Sequence, residues 1–335
     1  MKKYFFIPAL ISLLFNGNLF AQTTVELRET ARSFLQQADF ANAILILNRA
    51  LQSEPKNIEV LKDLSLAYYF QKDNKKALET IKLVIEGDGA DDQSYQIAGN
   101  IYKQLEQPKE SEKLFRKGIK KFPESGAMYN ELGEVLWTQQ DYNAIKQWEK
   151  GIEVDPSFST NYFNASKFYY LSTDKVWSIL YGEIFINMEP QSSRSAEIKG
   201  ILLEGYKKLF AEADLTKAIA AAKPFEKDFL AIMNKQSNVA VAGINPETLT
   251  MIRTRFILDW YLTYADKMPF RLFEQQRQLL QEGMFDAYNQ WIFGPAQNLT
   301  AYQNWVNANK AAHLEFTKFQ QGRVFKIPQG QYYHK

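Results

Sequence analysis

From residue 24 onward, apolar residues recur three and four positions apart, and the strict alternation of a half-buried strand is missing. That spacing places them on one stripe of a helix. The stretch "DYNAIKQWEKGIEVDP" (141–156) shows how the stripe is built. Ala144, Trp148, Gly151 and Pro156 alternate small and bulky side chains and end in a helix stop. The pattern predicts an all-α chain of short antiparallel helix pairs.

The same offsets recur with a period of 34. They give Ala43, Leu47, Ala50 and Pro55; then Ala77, Ile81, Val84 and Gly89; then Ser111, Phe115, Gly118 and Pro123. A second helical pattern precedes each set. It is marked by Ala31 and Phe34, by Leu61, Leu64, Ser65 and Tyr68, by Tyr95, Ala98, Gly99 and Tyr102, and by Tyr129, Leu132, Gly133 and Leu136. Small residues sit where two helices cross closely. Each pair is sticky on both faces and has to stack on its neighbours to bury itself.

These units resemble tetratricopeptide repeats (TPR). The resemblance covers four units over 24–156 and a degenerate fifth near 158–190, which keeps Ala165, Phe168 and Pro190. Unit two has Gly89 where proline is expected, and unit four is one residue shorter between its helices. The repeat array is thus expected over 24–190. A helical C-terminal domain is expected over 191–335, with a hidden sixth unit near Gly205 and Ala218.

The resemblance implies an α-α superhelix whose first helices line a concave groove holding a peptide or a helix. The groove positions map onto Arg28 and Arg32, then Lys62, Leu66 and Tyr69, then Gln96, Asn100 and Lys103. They continue through Asn130, Glu134 and Trp137, and then Tyr162, Ser166 and Tyr169. Such a groove would be basic at its start, amide-rich in the middle and aromatic at its end. It would suit an extended segment with an acidic group. The Lys-and-Asn clamp of chaperone-binding relatives is not reproduced, because Leu66 stands where Asn100 stands one unit later.

Beyond the repeats, Pro224 kinks or splits one helix, 236–247 reads as a loop, and Pro246 and Pro269 open two long helices. Within "FDAYNQWIFGPAQNLTAYQNW" (285–305) one word is said twice, Ala-Tyr-Asn-Gln-Trp and Ala-Tyr-Gln-Asn-Trp. Gly294-Pro295 is expected to end the first helix, and Asn298 or Thr300 to cap the second. One reading is a hairpin whose Tyr/Trp faces pack while the amides point out. The other is a glycan-binding platform of Tyr288, Trp291, Tyr302 and Trp305.

The chain opens with Lys2 and Lys3, a short apolar run "YFFIPALISLLF" and a small-residue exit ending at Ala21. This is the pattern of a secretory signal over 1–21, too short to span a bilayer. The formal charge of +2 comes entirely from those two lysines, which leaves 38 basic and 38 acidic residues. The stretch 309–335 is basic and is expected to be solvated. With no cysteine there is neither a disulfide nor a lipid-attachment site. The expectation is a soluble periplasmic protein with no membrane span after cleavage, whose partner is another envelope protein or peptide and not nucleic acid.

Only His313 and His334 could serve as histidine bases or ligands, and there is no phosphate loop or nucleophile elbow. The chain therefore reads as a non-enzymatic scaffold without cofactor or metal. Glycan binding through the doubled word is the alternative.

Overall fold

The computed structural model describes residues 23–211 and 215–334, and the expected signal segment lies outside them. All regular structure among the described residues is helical. The chain forms two compact units, one ending at Gly89 and one beginning at Ala90.

The first unit holds two hairpins, α1 (Thr24–Gln36) with α2 (Phe40–Ser53) and α3 (Ile58–Phe70) with α4 (Asn74–Ile85). Its core is Leu27, Ala31, Ala43, Leu47, Ala50, Val60, Leu64 and Ala67, the small and bulky positions of the repeat. The Ser65 hydroxyl donates to the Ala77 carbonyl at 2.8 Å and ties α3 to α4.

The second unit begins with three more hairpins: α5 (Asp92–Gln104) with α6 (Pro108–Lys121), α7 (Gly126–Thr138) with α8 (Ala144–Val154), and α9 (Ser159–Leu171) with α10 (Lys175–Met188). At Gly99 a side chain would run into the Phe115 ring, and at Gly133 into the Trp148 ring. These vacancies let bulky residues of the second helix lie against the backbone of the first.

One turn recurs in the first four hairpins. Ala38, Lys72, Glu106 and Gln140 each adopt a left-handed backbone, with φ of 58°, 69°, 55° and 61°. Around each, two backbone N–H groups fold back on the preceding helix. Lys72 N–H reaches the Tyr69 carbonyl, and Asp73 N–H reaches that of Tyr68 at 2.9 Å. This is the Schellman closure, built without the glycine that would adopt it free of strain. Asp39 and Asp73 then cap the following helices. The fifth hairpin lacks the device, since Ser172 is extended.

The remaining helices are α11 (Ser195–Leu209), α12 (Thr216–Ala221), α13 (Pro224–Asn234), α14 (Ser237–Ala240), α15 (Pro246–Thr263), α16 (Arg271–Gln281), α17 (Phe285–Gln297), α18 (Leu299–Ala308) and α19 (Lys310–Gln321). Pro224 splits α12 from α13. The helix expected from Pro269 is two helices, α16 and α17, because Gly283 turns the chain with φ of 74°. Helix α17 runs one turn past Gly294-Pro295 to Gln297, and Asn298 caps α18. Helix α11 packs on α10 and α17.

A fully buried ion pair, Glu183 of α10 with Arg253 of α15, joins the last repeat to the C-terminal helices. Gln276 donates to the Glu183 carboxylate at 2.6 Å and the Tyr288 hydroxyl at 2.7 Å. Asn289 accepts from Arg253, and Asn187 donates to the Tyr288 oxygen at 2.7 Å. Four helices are thereby keyed to one carboxylate.

Two outcomes follow. Gln140→Gly and Ala38→Gly should each raise stability by ~0.5–1 kcal/mol by relieving the left-handed strain, measured by urea unfolding. Arg253→Met should cost ~3–5 kcal/mol by leaving Glu183 buried and unpaired, and adding Glu183→Met should recover much of the loss.

Candidate functional site

In the first unit, Arg28 and Arg32 flank Ala31 on α1, as expected for inner-face positions. They are not free cations. Arg28 Nε donates to Asp63 Oδ2 at 2.7 Å and its Nη2 to Glu59 Oε2 at 2.5 Å. Arg32 Nε reaches the same Asp63 oxygen at 3.0 Å. Lys62 is buried, with Nζ 2.8 Å from Glu59 Oε1. The hydrogen bond from Lys62, with Arg28 behind it, holds the Glu59 carboxyl below the usual range. The basic start of the groove is therefore corrected: its three cations are closed onto Glu59 and Asp63. Leu66 and Tyr69 are half-buried beside them, and the Tyr69 ring meets Phe70 edge-on at 5.4 Å.

The second unit repeats this arrangement on α5, α7, α9 and α11, which pack in sequence. Gln96 and Asn100 are half-buried. Lys103 Nζ lies 2.6 Å from Glu131 and 3.4 Å from Glu134. Burial pushes the Glu131 carboxyl up and Lys103 opposes it. Asn130 is buried; it donates to Glu134 at 3.3 Å and accepts from Asn164 at 2.9 Å. Lys167 pairs with Glu197 at 2.7 Å. Each hairpin thus answers the polar groups of the next, and the face spends its charges internally.

Trp137 differs from these, being 39% exposed. Its ring packs edge-on against Tyr142 at 6.0 Å and Phe168 at 5.7 Å, and Tyr142 is 68% exposed. Three rings from α7, the following turn and α9 form one surface cluster.

Tyr162, Ser166 and Tyr169 are buried and do not line the face. Their placement took Ala165 as the small crossing residue, but the crossing is at Ser166. Ser166 and Ser178 donate to each other's carbonyls at 2.8 and 3.1 Å, the counterpart of the Ser65 bond. A slip of one residue turns each side chain by ~100°. The inner positions are therefore Phe163, Lys167 and Tyr170.

The doubled word does not form a platform. Tyr288 is fully buried on Glu183 and Asn187. Trp291 is half-buried, stacked with Tyr288 at 6.0 Å and covered by Lys199 Nζ at 3.9 Å. Tyr302 lies over Gly294, where a side chain would strike its ring. Trp305 hydrogen-bonds Asp286. The amides expected to point out do so only in the second word, since Asn289 and Gln290 are buried. The four rings do not make one exposed surface, because Tyr288 is buried.

The C-terminal stretch keeps Lys310, Lys318, Arg323 and Lys326 exposed, as expected, but part of it is packed. Phe325 and Ile327 are buried. Gln329 donates to the Val154 carbonyl at 3.0 Å, and Tyr333 lies flat on Phe225 with centroids 4.8 Å apart. His334 contacts the Trp177 and Tyr169 rings and sits 2.5 Å from Glu149. Its nearness to the chain end gave no hint of this. The alternating apolar Phe325 and Ile327 were the available signal.

Residues 34–101 and 98–152 match two family models, both described as tetratricopeptide repeat. Stacked helical hairpins with the small crossing positions define an all-α repeat protein of the solenoid class. The chain carries tetratricopeptide repeats over residues 34–152. No curated protein matches the chain. Among solved structures it is similar to pilF of Pseudomonas aeruginosa, at 16% identity and a TM-score of 0.48, over 55% of this chain and 85% of that one. It is also similar to MamA, at 20% identity and 0.39, over 50% and 94%. A third is YrrB, described as a TPR protein with an unusual peptide-binding site, at 15% identity and 0.38, over 52% and 91%. All three TM-scores lie below 0.5.

Burial lowers the Lys199 amine to about 8. Between that value and the ordinary lysine range the unfolded chain holds more protons, so stability should rise with pH there. Lys199→Met should flatten that part of the urea-midpoint profile relative to wild type.

Proposed function

We propose that the chain is a non-enzymatic interaction scaffold of the bacterial envelope. It would bind an extended or helical protein segment on the first-helix face of residues 96–170. The signal-like start supports the envelope setting, and the repeats support protein binding, the usual work of this family. No described helix is long and apolar enough to cross a membrane.

One observation carries the reading. The Lys, Glu and Asn groups of this face are satisfied within the chain, whereas Trp137, Tyr142 and Phe168 remain as a surface aromatic cluster. Rigid aromatic anchors beside pre-paired polar groups are the hot-spot arrangement of protein interfaces. Because the face is preorganised, the ordering cost falls on the incoming segment. Burial of Tyr288 favours this reading over the four-ring glycan platform.

Photo-crosslinking tests the proposal in the native host. Benzoylphenylalanine at Asn100 and at Trp137 should capture the same envelope protein, and the probe at Asp259 should not. Trp137→Ala with Tyr142→Ala should weaken capture at the Asn100 probe by ~10-fold or more. Capture from Asp259 alone would place the interface elsewhere.

A further inference from the structure

The geometry points to a divalent-cation site formed by Asp174, Glu226 and His334, in which the ion pins the C-terminal segment to the second unit. The three residues come from the N-cap of α10, from α13 and from the segment after α19. One ligand atom from each lies within 4.8 Å of the others. Zinc-type ligands at ~2.0–2.2 Å from an ion stand roughly 3.4 Å apart in a tetrahedral set. His334 Nε2 and Glu226 Oε1 are already 3.7 Å apart, too far for a hydrogen bond and close to that spacing. Asp174 offers a carboxylate oxygen no more than 4.8 Å from either of these atoms.

A second observation comes from Glu149. Its Oε1 lies 2.5 Å from His334 Nδ1, on the far side of the ring from Glu226. Tyr169 donates to the same Glu149 oxygen at 2.6 Å. A carboxylate accepting from Nδ1–H fixes the tautomer and turns the Nε2 lone pair toward the other two carboxylates. Metal-bound histidines are usually held in this carboxylate–imidazole arrangement. Asp174 caps α10 through Oδ1, which accepts from Trp177 N–H. The Trp177 indole donates to Glu226. The His334 and Glu226 side chains are 14% and 11% exposed, which leaves an edge by which an ion could enter.

The electrostatics agree. Burial, and then the charge of Glu226, push the Asp174 carboxyl up to about 6. A divalent ion between the two carboxylates would relieve that repulsion. One imidazole and two carboxylates suit Zn2+ or Mn2+ better than Mg2+ or Ca2+, which prefer oxygen alone. The site is independent of the proposed partner face.

Calorimetric titration of the tag-free chain with Zn2+ and with Mn2+ tests the assignment. One equivalent of at least one ion should bind saturably and raise the Tm. Asp174→Asn keeps a helix-capping side chain and should abolish binding with the far-UV circular dichroism unchanged, as should His334→Gln. Glu149→Gln should weaken binding by ~10–100-fold through loss of the orienting carboxylate. Failure of both ions to bind saturably would overturn the site and leave His334 as a hydrogen-bonding group beside Glu149. Binding of unchanged affinity in Asp174→Asn and His334→Gln would also overturn it.

Discussion

The close crossing of two helices inside each hairpin is the constraint on which the rest depends. A large side chain at Ala31, Ser65, Gly99, Gly133 or Ser166 would hold the helices apart. Small ones let the backbones approach, and in three hairpins a serine hydroxyl bonds across the gap. The crossing residue also sets the rotation of the first helix. Once it is fixed, the residues three before, one after and four after are committed to one face. The inner-face chemistry is therefore a consequence of packing. In the fifth hairpin the second helix reverses the rule. Gly182 stands where the others place a bulky residue, and Phe185 stands where three of the others place alanine or glycine, with both buried. The hairpin still closes, because Phe185 packs on Phe163 with centroids 5.1 Å apart.

This hairpin ends the regular array, and its sticky side must be covered by something other than another repeat. Helix α10 is buried along nearly its whole length. Helices α9, α11 and α13 pack on it, and the Glu183–Arg253 network reaches it from α15, α16 and α17. A buried ion pair is a costly way to join helices. Hydrophobic side chains of similar volume would often be as stable. Here it sets geometry: Glu183 accepts from three partners on three helices, so those helices have one arrangement that satisfies it.

The repeat, its period and its helix pairs were legible because they rest on local periodicity. Pairing of the inner-face cations was not. Arg28, Arg32, Lys62 and Lys103 read as a basic groove until their partners are seen, one repeat away for Arg28, Arg32 and Lys103 and one turn away for Lys62, and Glu59, Asp63, Glu131 and Glu134 carry no marker of that pairing. The slip at Ala165 has a simple origin. Two adjacent small residues, Ala165 and Ser166, fit the pattern equally well, and only the Ser178 contact decides between them. The doubled word failed as a site for a different reason. Helical spacing shows which residues share a face, but Tyr288 faces Glu183, more than a hundred residues away, and no local pattern reports that.

The internal pairing bears on recognition. A groove lined by free lysines and arginines would attract any acidic segment at long range and would weaken steeply with salt. In this chain the inner cations face carboxylates at 2.5–3.4 Å, so little net field is left to steer a ligand. Under the proposed function, discrimination would fall to shape and to the aromatic cluster at Trp137, where contact energy depends on fit more than on ionic strength. The last segment of the chain shows that the second unit can hold an extended strand in this way. Gln329 and Tyr333 bond backbone carbonyls, while Phe325, Ile327 and the Tyr333 ring take apolar places. A few rings and backbone bonds, with few surface charges, suffice to hold this segment against these helices.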